Sequence, residues 1–350
     1  MFFGKRQSLV GLDIGSHSVK IAEVESQTNK GHRLVNWGIS APLAEAIVDG
    51  EIMDRQLVVD AISNLLESRG IQSRNVAASV SGRAVIVKKI TMNRLSAEDA
   101  QQAVFWEAEQ HVPYDINDVS LDFEILGPAP NDDKQMQVLL VAAKKDMVMS
   151  FGDLIREAGL VPLIVDVDSF ATQNALEANY DFAPGEVVAT LNIGSEITNI
   201  NITQAGVPYF TKDLQFGGQS VVDAVQRKFS LSQSEAVAAV RGESGTQEIV
   251  PVIEQACEGL ATALDRAQAY LRTAGEAGAV SRIMMCGGSA LTPALPEFLG
   301  RRFGVPTEIA NPLSRVAYDP ALFAGQDVMR VAPLLTVGIG LALRRLGDKK

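Results

Sequence analysis

The stretch VGLDIGSHSVKIAE at residues 10–23 recurs in altered form as ATLNIGSEITNINI at residues 189–202. At an offset of 179 residues, five positions are identical, and both copies place a Gly-Ser turn between two strand-like apolar runs. Each copy is followed by a third apolar run and then by a segment with apolar residues at helical spacing. The repetition predicts two similar α/β halves, each built from the same series of strands and helices.

The two predicted halves differ because additional residues lie inside each of them. The first half spans residues 1–82 and 161–182, and an α+β lobe is inserted between these parts at residues 83–160. The second half spans residues 183–350 and contains a helical insertion at about 232–278. We therefore predict an α/β fold with two lobes, whose duplicated halves face each other across a cleft, and one inserted lobe.

The composition indicates a globular protein of a reducing, cytoplasmic compartment. The chain has 31 Lys and Arg against 42 Asp and Glu, a net charge of −11, and 47% hydrophobic residues. This acidity argues against nucleic-acid binding, which begins with neutralisation of phosphates by basic residues. The two cysteines cannot form a disulfide framework. The longest apolar stretch, 331–343, is too short for a transmembrane segment, and residues 1–15 lack the pattern of a signal peptide.

The first Gly-Ser turn has the residue types of a phosphate site. A strand that ends in such a turn presents successive backbone N–H groups and hydroxyls to an anion. Asp13 at the strand end could hold Mg²⁺ through water, and Lys20 could neutralise phosphate oxygens. Neither a P-loop nor a dinucleotide fingerprint is present. Taken alone, the turn is more typical of an ordinary strand connection, because many strands end in this way. Its candidate phosphate contacts are Gly15, Ser16, His17 and Ser18.

The second copy supplies the opposite wall of the predicted cleft. Its candidate phosphate contacts are Asn192, Gly194, Ser195, Glu196 and Thr198. Gly217 and Gly218 could let the backbone approach a phosphate closely. Gly287, Gly288 and Ser289 would leave space for a base or ribose. Glu235 and Arg241 are candidate contacts to the base or the ribose. Each has an equally good structural explanation by itself, but together with the duplication they favour a nucleotide-binding cleft.

The sequence supports hydrolysis less well than binding. Attack on a γ-phosphate needs a positioned water and neutralisation of charge. Asp13, Asp166 and Asp168 are the candidate catalytic residues, although an aspartate at a strand end is as often structural. Asn192 carries no charge, so the second wall lacks the carboxylate that Asp13 gives the first. We therefore expect nucleotide binding with weak or absent hydrolysis.

These segments resemble the five nucleotide-binding segments of the actin-like ATPase superfamily. The inserted lobe lies where the cell-division protein FtsA has its additional lobe. The resemblance implies an actin-like fold that binds ATP with Mg²⁺ in the cleft. The superfamily usually has Asp at the position of Asn192, and this departure bears on turnover more than on binding. The two phosphate segments match GLDIGSHSVK (11–20) and LNIGSEITNI (191–200), and the adenosine segment matches MMCGGSALTPALPEFL (284–299). The two connecting helices match VDVDSFATQNAL (165–176) and TVGIGLALR (336–344).

Within the superfamily, three stretches resemble the PilM family of type IV pilus assembly proteins: residues 105–126, 160–176 and 337–345. The resemblance covers essentially the whole chain. It implies a cytoplasmic ATP-binding scaffold that binds the N-terminal cytoplasmic tail of the inner-membrane protein PilN and relays its nucleotide state to the pilus machine. PilO would be an indirect partner through PilN, pilus motor ATPases are candidate partners, and the chain would lie at the inner membrane through its partner.

Other functions within the same superfamily remain open from the sequence. One is a cytoplasmic actin-like component of a type II secretion system, and another is an FtsA-like division protein. A third is a small-molecule kinase, which would need a catalytic aspartate in a substrate pocket where the inserted lobe is expected to lie.

Overall fold

The computed structural model describes residues 9–27, 31–43, 45–48, 50–130, 132–243, 248–274 and 278–347. The signal-peptide argument rests partly on residues 1–8, which lie outside the described residues. Within the described ranges, no helix combines the length and the apolar character needed to cross a bilayer.

The first half begins with an antiparallel set of strands and continues through a helix to a parallel strand. Strand β1 pairs antiparallel with β2 and parallel with β6. Helix α1 begins after Asp54, whose side chain accepts a hydrogen bond from the Leu57 N–H and so satisfies one free donor of the first turn. The elements are β1 (Val10–Ile14), β2 (Val19–Gln27), β3 (Gly31–Ile39), β4 (Ile47–Val48), β5 (Glu51–Ile52), α1 (Arg55–Arg69) and β6 (Asn75–Val80).

The inserted segment forms a three-stranded antiparallel sheet in the order β7-β9-β8, with α2 packed on one face. Its elements are β7 (Val85–Asn93), α2 (Ala97–Ala108), β8 (Val119–Ala129), β9 (Asp132–Lys144) and α3 (Lys145–Glu157). The last helix differs from expectation. Leu154 and Ile155 of α3 are buried in the core of the first half, with Val58 and Ile62 of α1. Helix α3 therefore follows the inserted sheet in the chain but packs with the first half, because its apolar stripe faces α1.

The chain then returns to the first half through β10 (Val161–Val167) and α4 (Asp168–Glu177). Strand β10 pairs parallel with β6 and completes a five-stranded sheet in the order β10-β6-β1-β2-β3.

The second half is a five-stranded sheet in the order β13-β12-β11-β14-β15, with helices packed against it. Helices α5, α6 and α7 lie between β13 and β14, and the last two of them fall within the segment predicted as a helical insertion. The elements are β11 (Val187–Ile193), β12 (Thr198–Gln204), β13 (Val207–Leu214), α5 (Gly218–Phe229), α6 (Gln233–Val240), α7 (Val250–Ala274), β14 (Arg282–Cys286), α8 (Leu295–Phe303), β15 (Thr307–Ile309), α9 (Val328–Val331) and α10 (Thr336–Ala342).

The register of the strands confirms the duplication. Both sheets place their strands in the same order, with the first three strands of each half antiparallel and the remaining two parallel to the first. Leu12 lies opposite Ile21 across β1 and β2, and Leu191 lies opposite Ile200 across β11 and β12. Both members of the pair are shifted by the 179 residues seen in the sequence. The predicted α/β fold with two related lobes is therefore confirmed.

Helix α10 lies between β1 and α4 at distances that leave no room for side chains. A Cβ atom on Gly340 would lie 1.7 Å from the carbonyl oxygen of Ala171 in α4. On the other side of α10, a Cβ atom on Gly11 would lie 1.9 Å from the carbonyl oxygen of Gly338. Backbone therefore meets backbone on both sides of α10, and this packing requires glycine at position 340 of α10 and at position 11 of β1.

The first prediction concerns this contact. We expect Gly340→Ala to lower the free energy of unfolding by about 3 kcal/mol, the upper end of ordinary overpacking costs, because the obstructing atom is backbone and cannot rotate away. Urea denaturation of the purified chain measures the effect. Gly259→Ala on α7 is the control, since a Cβ atom there meets nothing within 4 Å; it should be neutral or stabilise by up to about 1 kcal/mol. Equal stability of the two variants would contradict the prediction.

Candidate functional site

A cavity of about 530 Å³ lies between the two halves. This volume is typical of small-molecule sites, which are usually concave and measure about 300–1,000 Å³. Residues from both copies of the repeat line it, so the structure brings together the two turns that the sequence predicted to face each other. The sequence-predicted residues that line the cavity are Asp13, Gly15, Ser16, His17, Ser18, Lys20, Asp168, Asn192, Gly194, Ser195, Gly218, Arg241, Gly287, Gly288 and Ser289.

The first wall is the turn between β1 and β2. The Gly15 N–H donates to the Ser18 carbonyl at 3.3 Å and closes the turn. Lys20 Nζ lies 3.4 Å from Asp13 Oδ2 in an ion pair across the two strands. A Cβ atom on Gly15 would lie 2.9 Å from Lys20 Nζ, so glycine leaves the ammonium its space beside the turn. This wall therefore offers one carboxylate and one ammonium.

The second wall is the corresponding turn between β11 and β12. The Gly194 N–H donates to the Ile197 carbonyl at 2.9 Å and closes it. Asn192 occupies the position of Asp13 after the 179-residue shift, and Asn199 occupies that of Lys20. Asn192 Nδ2 donates to Asn199 Oδ1 at 2.8 Å. A neutral hydrogen-bonded pair thus replaces the ion pair of the first wall.

The start of α5 holds this second turn in place. The Gly194 carbonyl accepts hydrogen bonds from the Gly218 N–H at 3.0 Å and from Ser289 Oγ at 2.8 Å. The Ser195 carbonyl accepts from the Gln219 N–H at 2.8 Å. A trans peptide directs its C=O and the N–H of the next residue in opposite directions. Because the Gly194 and Ser195 carbonyls face α5, the N–H groups of Ser195 and Glu196 point away from it.

The structure gives Gly217 and Gly218 a different role from the predicted approach to a phosphate. A Cβ atom on Gly217 would lie 2.4 Å from the Ser195 carbonyl oxygen, and one on Gly218 would lie 2.2 Å from Ser289 Oγ. The protein's own second turn therefore requires glycine at position 217, whereas the space beside Gly218 is occupied by the Ser289 side chain that bonds to this turn. Gly218 still lines the cavity, whereas Gly217 does not.

Asp168 is a half-buried carboxylate at the first position of α4, facing the cavity. Ser79 Oγ donates to Asp168 Oδ1 at 2.6 Å, and the Ser81 hydroxyl also bonds to this carboxylate. Burial raises the pKa of Asp168 to about 6, and the negative charge of Asp13 acts in the same direction. The serine hydroxyls only partly oppose this shift, so the charged form of Asp168 is held at a cost in free energy.

The other end of the cavity is suited to a flat, partly apolar group. Val237, Val240 and Leu334 line it, together with Arg241 and Arg330. The Arg330 guanidinium donates to the Arg241 carbonyl at 3.3 Å and thereby joins the segment before α10 to the end of α6.

His17 and Arg241 lie close enough to interact across the two halves. Burial lowers the pKa of His17, and the positive charges of Lys20 and Arg241 lower it further. His17 is therefore a neutral hydrogen-bonding group at neutral pH rather than an additional cation.

Several predicted residues lie elsewhere. Asp166 forms an ion pair with Arg344 at 3.4 Å and does not line the cavity. Thr198 is buried, and its hydroxyl donates to the Phe216 carbonyl at 2.8 Å, which makes it part of the core of the second half. Glu196 lies in the second turn but outside the cavity lining.

Glu235 caps helix α6 instead of contacting the cavity. The Glu235 N–H donates to Ser232 Oγ at 3.3 Å as one half of a capping box. The Glu235 carboxylate completes the box by accepting from the Ser232 N–H at 2.8 Å, and it also accepts from the Ser232 hydroxyl at 2.6 Å. These two bonds lower the pKa of Glu235. The capping pattern is visible in the sequence, and it gives Glu235 a complete structural role.

The structure adds cavity residues that sequence reasoning missed. Ser79 and Ser81 come from the end of β6, where the run of small residues was the available signal. Asn199 could have been found by applying the 179-residue offset to Lys20. The apolar residues Val237 and Leu334 carried no signal that distinguishes them from ordinary core positions.

The cavity can supply part of the coordination of Mg²⁺ but not all of it. Across the part of the chain that the structure describes, no group of three or more His, Cys, Asp or Glu side chains could hold a metal ion. Magnesium that arrives with a nucleotide needs only one or two carboxylates, because phosphate oxygens and water complete its octahedron. Asp13, at the end of β1 beside the first turn, fits this limited role.

Comparison with known proteins agrees with this architecture. The structure described as the PilM-PilN type IV pilus biogenesis complex matches with a TM-score of 0.85 and 28% sequence identity over 97% of this chain and 98% of that chain. The ethanolamine utilization protein EutJ from Carboxydothermus hydrogenoformans matches with a TM-score of 0.56 and 16% identity, over 96% of this chain and 89% of that chain. MreB5 of Spiroplasma citri bound to AMPPNP matches with a TM-score of 0.55 and 14% identity, over 96% and 95%. The last two similarities concern the fold alone.

The family model of the type IV pilus assembly protein PilM matches residues 11–346. The match includes both halves, the inserted lobe and both turns of the cavity. The chain therefore belongs to the PilM family of type IV pilus assembly proteins.

Proposed function

We propose that this chain is a cytoplasmic, ATP-binding scaffold of the type IV pilus assembly complex that binds the N-terminal cytoplasmic tail of PilN. The observation that carries the proposal is the similarity to the PilM-PilN complex, which extends over nearly the whole of both chains at a TM-score of 0.85. Through PilN the chain would be linked to PilO and held at the inner membrane. Pilus motor ATPases are further candidate partners.

Family membership favours this role over the alternatives within the superfamily. A type II secretion component, an FtsA-like division protein and a small-molecule kinase would share the fold, but the family match names pilus assembly. A coupled assay with common sugar and carboxylate substrates tests the kinase alternative directly, and we expect no phosphoryl transfer.

The proposed ligand of the cavity is ATP with Mg²⁺. The two turns would grip the phosphates from opposite walls, with Lys20 neutralising their charge and Asp13 holding the ion through water. Gly288 and the residues around Arg241 and Leu334 would leave room for the base. Bound Mg²⁺ would neutralise phosphate charge.

We propose that hydrolysis is weak or absent. Asn192 can donate and accept hydrogen bonds but cannot act as a charged base. Asp168 faces the cavity, but its raised pKa leaves a fraction of it protonated near pH 7. The residues therefore suit retention of the nucleotide better than rapid turnover.

The inserted lobe is placed to transmit a change in nucleotide occupancy, since it contacts both halves. ATP would contact both halves and so favour a closed cleft, with α4 and α10 as the fixed connection. The inserted sheet contacts the second half through β7 and β13, where Lys89 Nζ lies 3.7 Å from the centre of the Tyr209 ring. A lobe that contacts both halves is expected to shift when the cleft closes.

The second prediction tests nucleotide binding. We expect calorimetry to detect binding of Mg²⁺–ATP to the wild-type chain, and Lys20→Gln to weaken it about 10- to 100-fold, because a charge-assisted contact to phosphate is lost and Asp13 is left unpaired. Lys212→Gln is the control, since Lys212 is exposed on β13 and does not line the cavity. Equal affinities of the two variants would place the phosphates elsewhere.

The third prediction tests the relay. A peptide copying the N-terminal tail of the cognate PilN should bind the chain with and without saturating Mg²⁺–ATP. We expect the two dissociation constants to differ at least about fivefold, corresponding to a coupling free energy of about 1 kcal/mol. Equal constants would remove the relay and leave a scaffold whose partner binding is independent of nucleotide.

The fourth prediction follows from the raised pKa of Asp168. The folded state favours the protonated form of Asp168. The stability linked to this group is therefore fully present below its unfolded pKa, near 4, and is lost as the pH rises through the folded pKa of about 6. Asp168→Asn removes that loss and keeps an acceptor for Ser79. We expect it to stabilise the nucleotide-free chain by about 1–3 kcal/mol at pH 7 and much less at pH 4.

Urea denaturation at both pH values measures this effect. Asp60→Asn on α1 is the control, because its exposed carboxylate keeps its water in the folded state. A gain for Asp168→Asn that is the same at pH 4 and pH 7 would show that the carboxylate is not its source.

A further inference from the structure

Three polar side chains form a continuous hydrogen-bonded row from the cavity to the far edge of the second sheet. Asn192 Nδ2 donates to Asn199 Oδ1 at 2.8 Å, and Asn199 Nδ2 donates to Asp213 Oδ1 at 2.7 Å. The other oxygen of Asp213 accepts a short hydrogen bond from the backbone N–H of Gly82. The strand register places the three side chains directly opposite one another on β11, β12 and β13. We refer to Asn192, Asn199 and Asp213 as the polar row.

The carboxylate at the end of the polar row fixes the direction of every bond in it. Burial raises the pKa of Asp213, but both of its oxygens accept hydrogen bonds from N–H groups, as those of an ionised carboxylate do. Because an ionised carboxylate only accepts, Asn199 must present its amide nitrogen to Asp213 and its carbonyl oxygen to Asn192. Asn192 must then present its own amide nitrogen to Asn199. Its Oδ1 therefore points to the other side, where Cys286 Sγ lies at 3.8 Å.

The environment of Asn192 agrees with this orientation. Burial raises the pKa of Cys286 to about 12, so the thiol is protonated and donates to Asn192 Oδ1. A Cβ atom on Gly287, which has a φ of +85°, would lie 2.7 Å from the same oxygen. Asn199 is only 4% exposed. A donor or acceptor facing the wrong partner here could not turn to water, and such a mismatch is costly in a buried network.

We propose that Asp213 is a positioning residue that sets the orientation of Asn192, and that the neutral side chain at 192 is matched to the carboxylate at 213. The inference rests on the proposed function only in that Asn192 is taken to face the nucleotide. Asp213 also accepts a hydrogen bond from the Gly82 N–H, and the chain enters β7 of the inserted sheet shortly after Gly82. The same carboxylate thus connects the wall of the cavity to the root of the inserted lobe.

The proposal gives a reason for asparagine rather than aspartate at position 192 in this chain. With Asp213 in place, Asn192→Asp would set a carboxylate against the Asn199 carbonyl oxygen. Rotation of the Asn199 amide would only transfer the mismatch to Asp213. Either way, one carboxylate faces an acceptor.

Exchanging the two residues reverses the row without losing a bond. In the double variant N192D/D213N, Asn199 can donate to the carboxylate at position 192 and accept from the new amide at position 213. The oxygen of that amide can still accept from the Gly82 N–H. Every donor then meets an acceptor, and the single charge lies at the opposite end of the row.

The fifth prediction is a double-mutant cycle measured by urea denaturation in the absence of nucleotide. We expect N192D to raise the unfolding equilibrium constant at least about 10-fold, in line with the cost of an unmatched buried polar group. Adding D213N should return the constant to within about threefold of the value for D213N alone.

A second cycle distinguishes matching of hydrogen bonds from simple relief of charge repulsion. Asn201 lies on the same face of β12, diagonally beside Asp213, and bonds to Gln173 and Thr211 instead. N201D therefore also creates a mismatch and also places a carboxylate near Asp213. We expect D213N to leave the cost of N201D unchanged. If D213N relieved the cost of both N192D and N201D equally, charge repulsion would explain the effect and the proposal would be overturned. Additive effects of N192D and D213N would also overturn it.

The test remains decisive if a variant fails to fold. A folded double variant beside an unfolded N192D supports the proposal, and failure of both overturns it. Calorimetry with Mg²⁺–ATP on the same proteins keeps the two questions separate. Absence of binding to the wild-type chain would count against the proposed nucleotide site, while the cycle without nucleotide would still decide the role of Asp213.

Discussion

The close contact of α10 with β1 and α4 is the constraint on which the rest of this structure depends. Backbone atoms meet on both sides of the helix, where Cβ atoms on Gly340 and Gly11 would lie 1.7 Å and 1.9 Å from carbonyl oxygens. Such a contact cannot slide by small steps, because interiors are close-packed and resist continuous deformation. The two halves are therefore held at a fixed base, and Asp168, which begins α4, is fixed with them.

The two copies of the repeat have kept their geometry and diverged in their charge. The strand register is conserved between them, yet the first copy carries the ion pair of Asp13 and Lys20, and the second carries the neutral pair of Asn192 and Asn199. The negative charge of the second half lies instead at Asp213, two strands away. In the function proposed above, phosphates would be held by backbone groups and one ammonium, and of the two turns only the first would offer a carboxylate to a metal ion. This asymmetry suits binding more than chemistry.

Asp168 indicates that the cavity is maintained at a cost to stability. Its carboxylate is half-buried, and this burial together with the negative charge of Asp13 raises its pKa to about 6. A purely structural site would be more stable with a neutral side chain. Strained or destabilised groups that persist in a fold are commonly found at functional sites, where selection acts on activity rather than on stability. In the polar row each group has a matched hydrogen-bond partner, although burial raises the pKa of Asp213 as well.

The sequence alone determined the fold class, the duplication and the two turns of the cavity, because a repeat with an unchanged offset carries its strand register with it. The capping box at Glu235 was also local and readable. Only the tertiary structure decided which elements pack together. Helix α3 joined the core of the first half, and Gly217 served the protein's own turn. The role of Asp213 was also invisible in the sequence. The spacing of apolar residues defines which face of a helix or strand is buried. The hydrogen-bond partner of a buried polar group lies on a neighbouring strand or in the opposite half, and local spacing does not encode it.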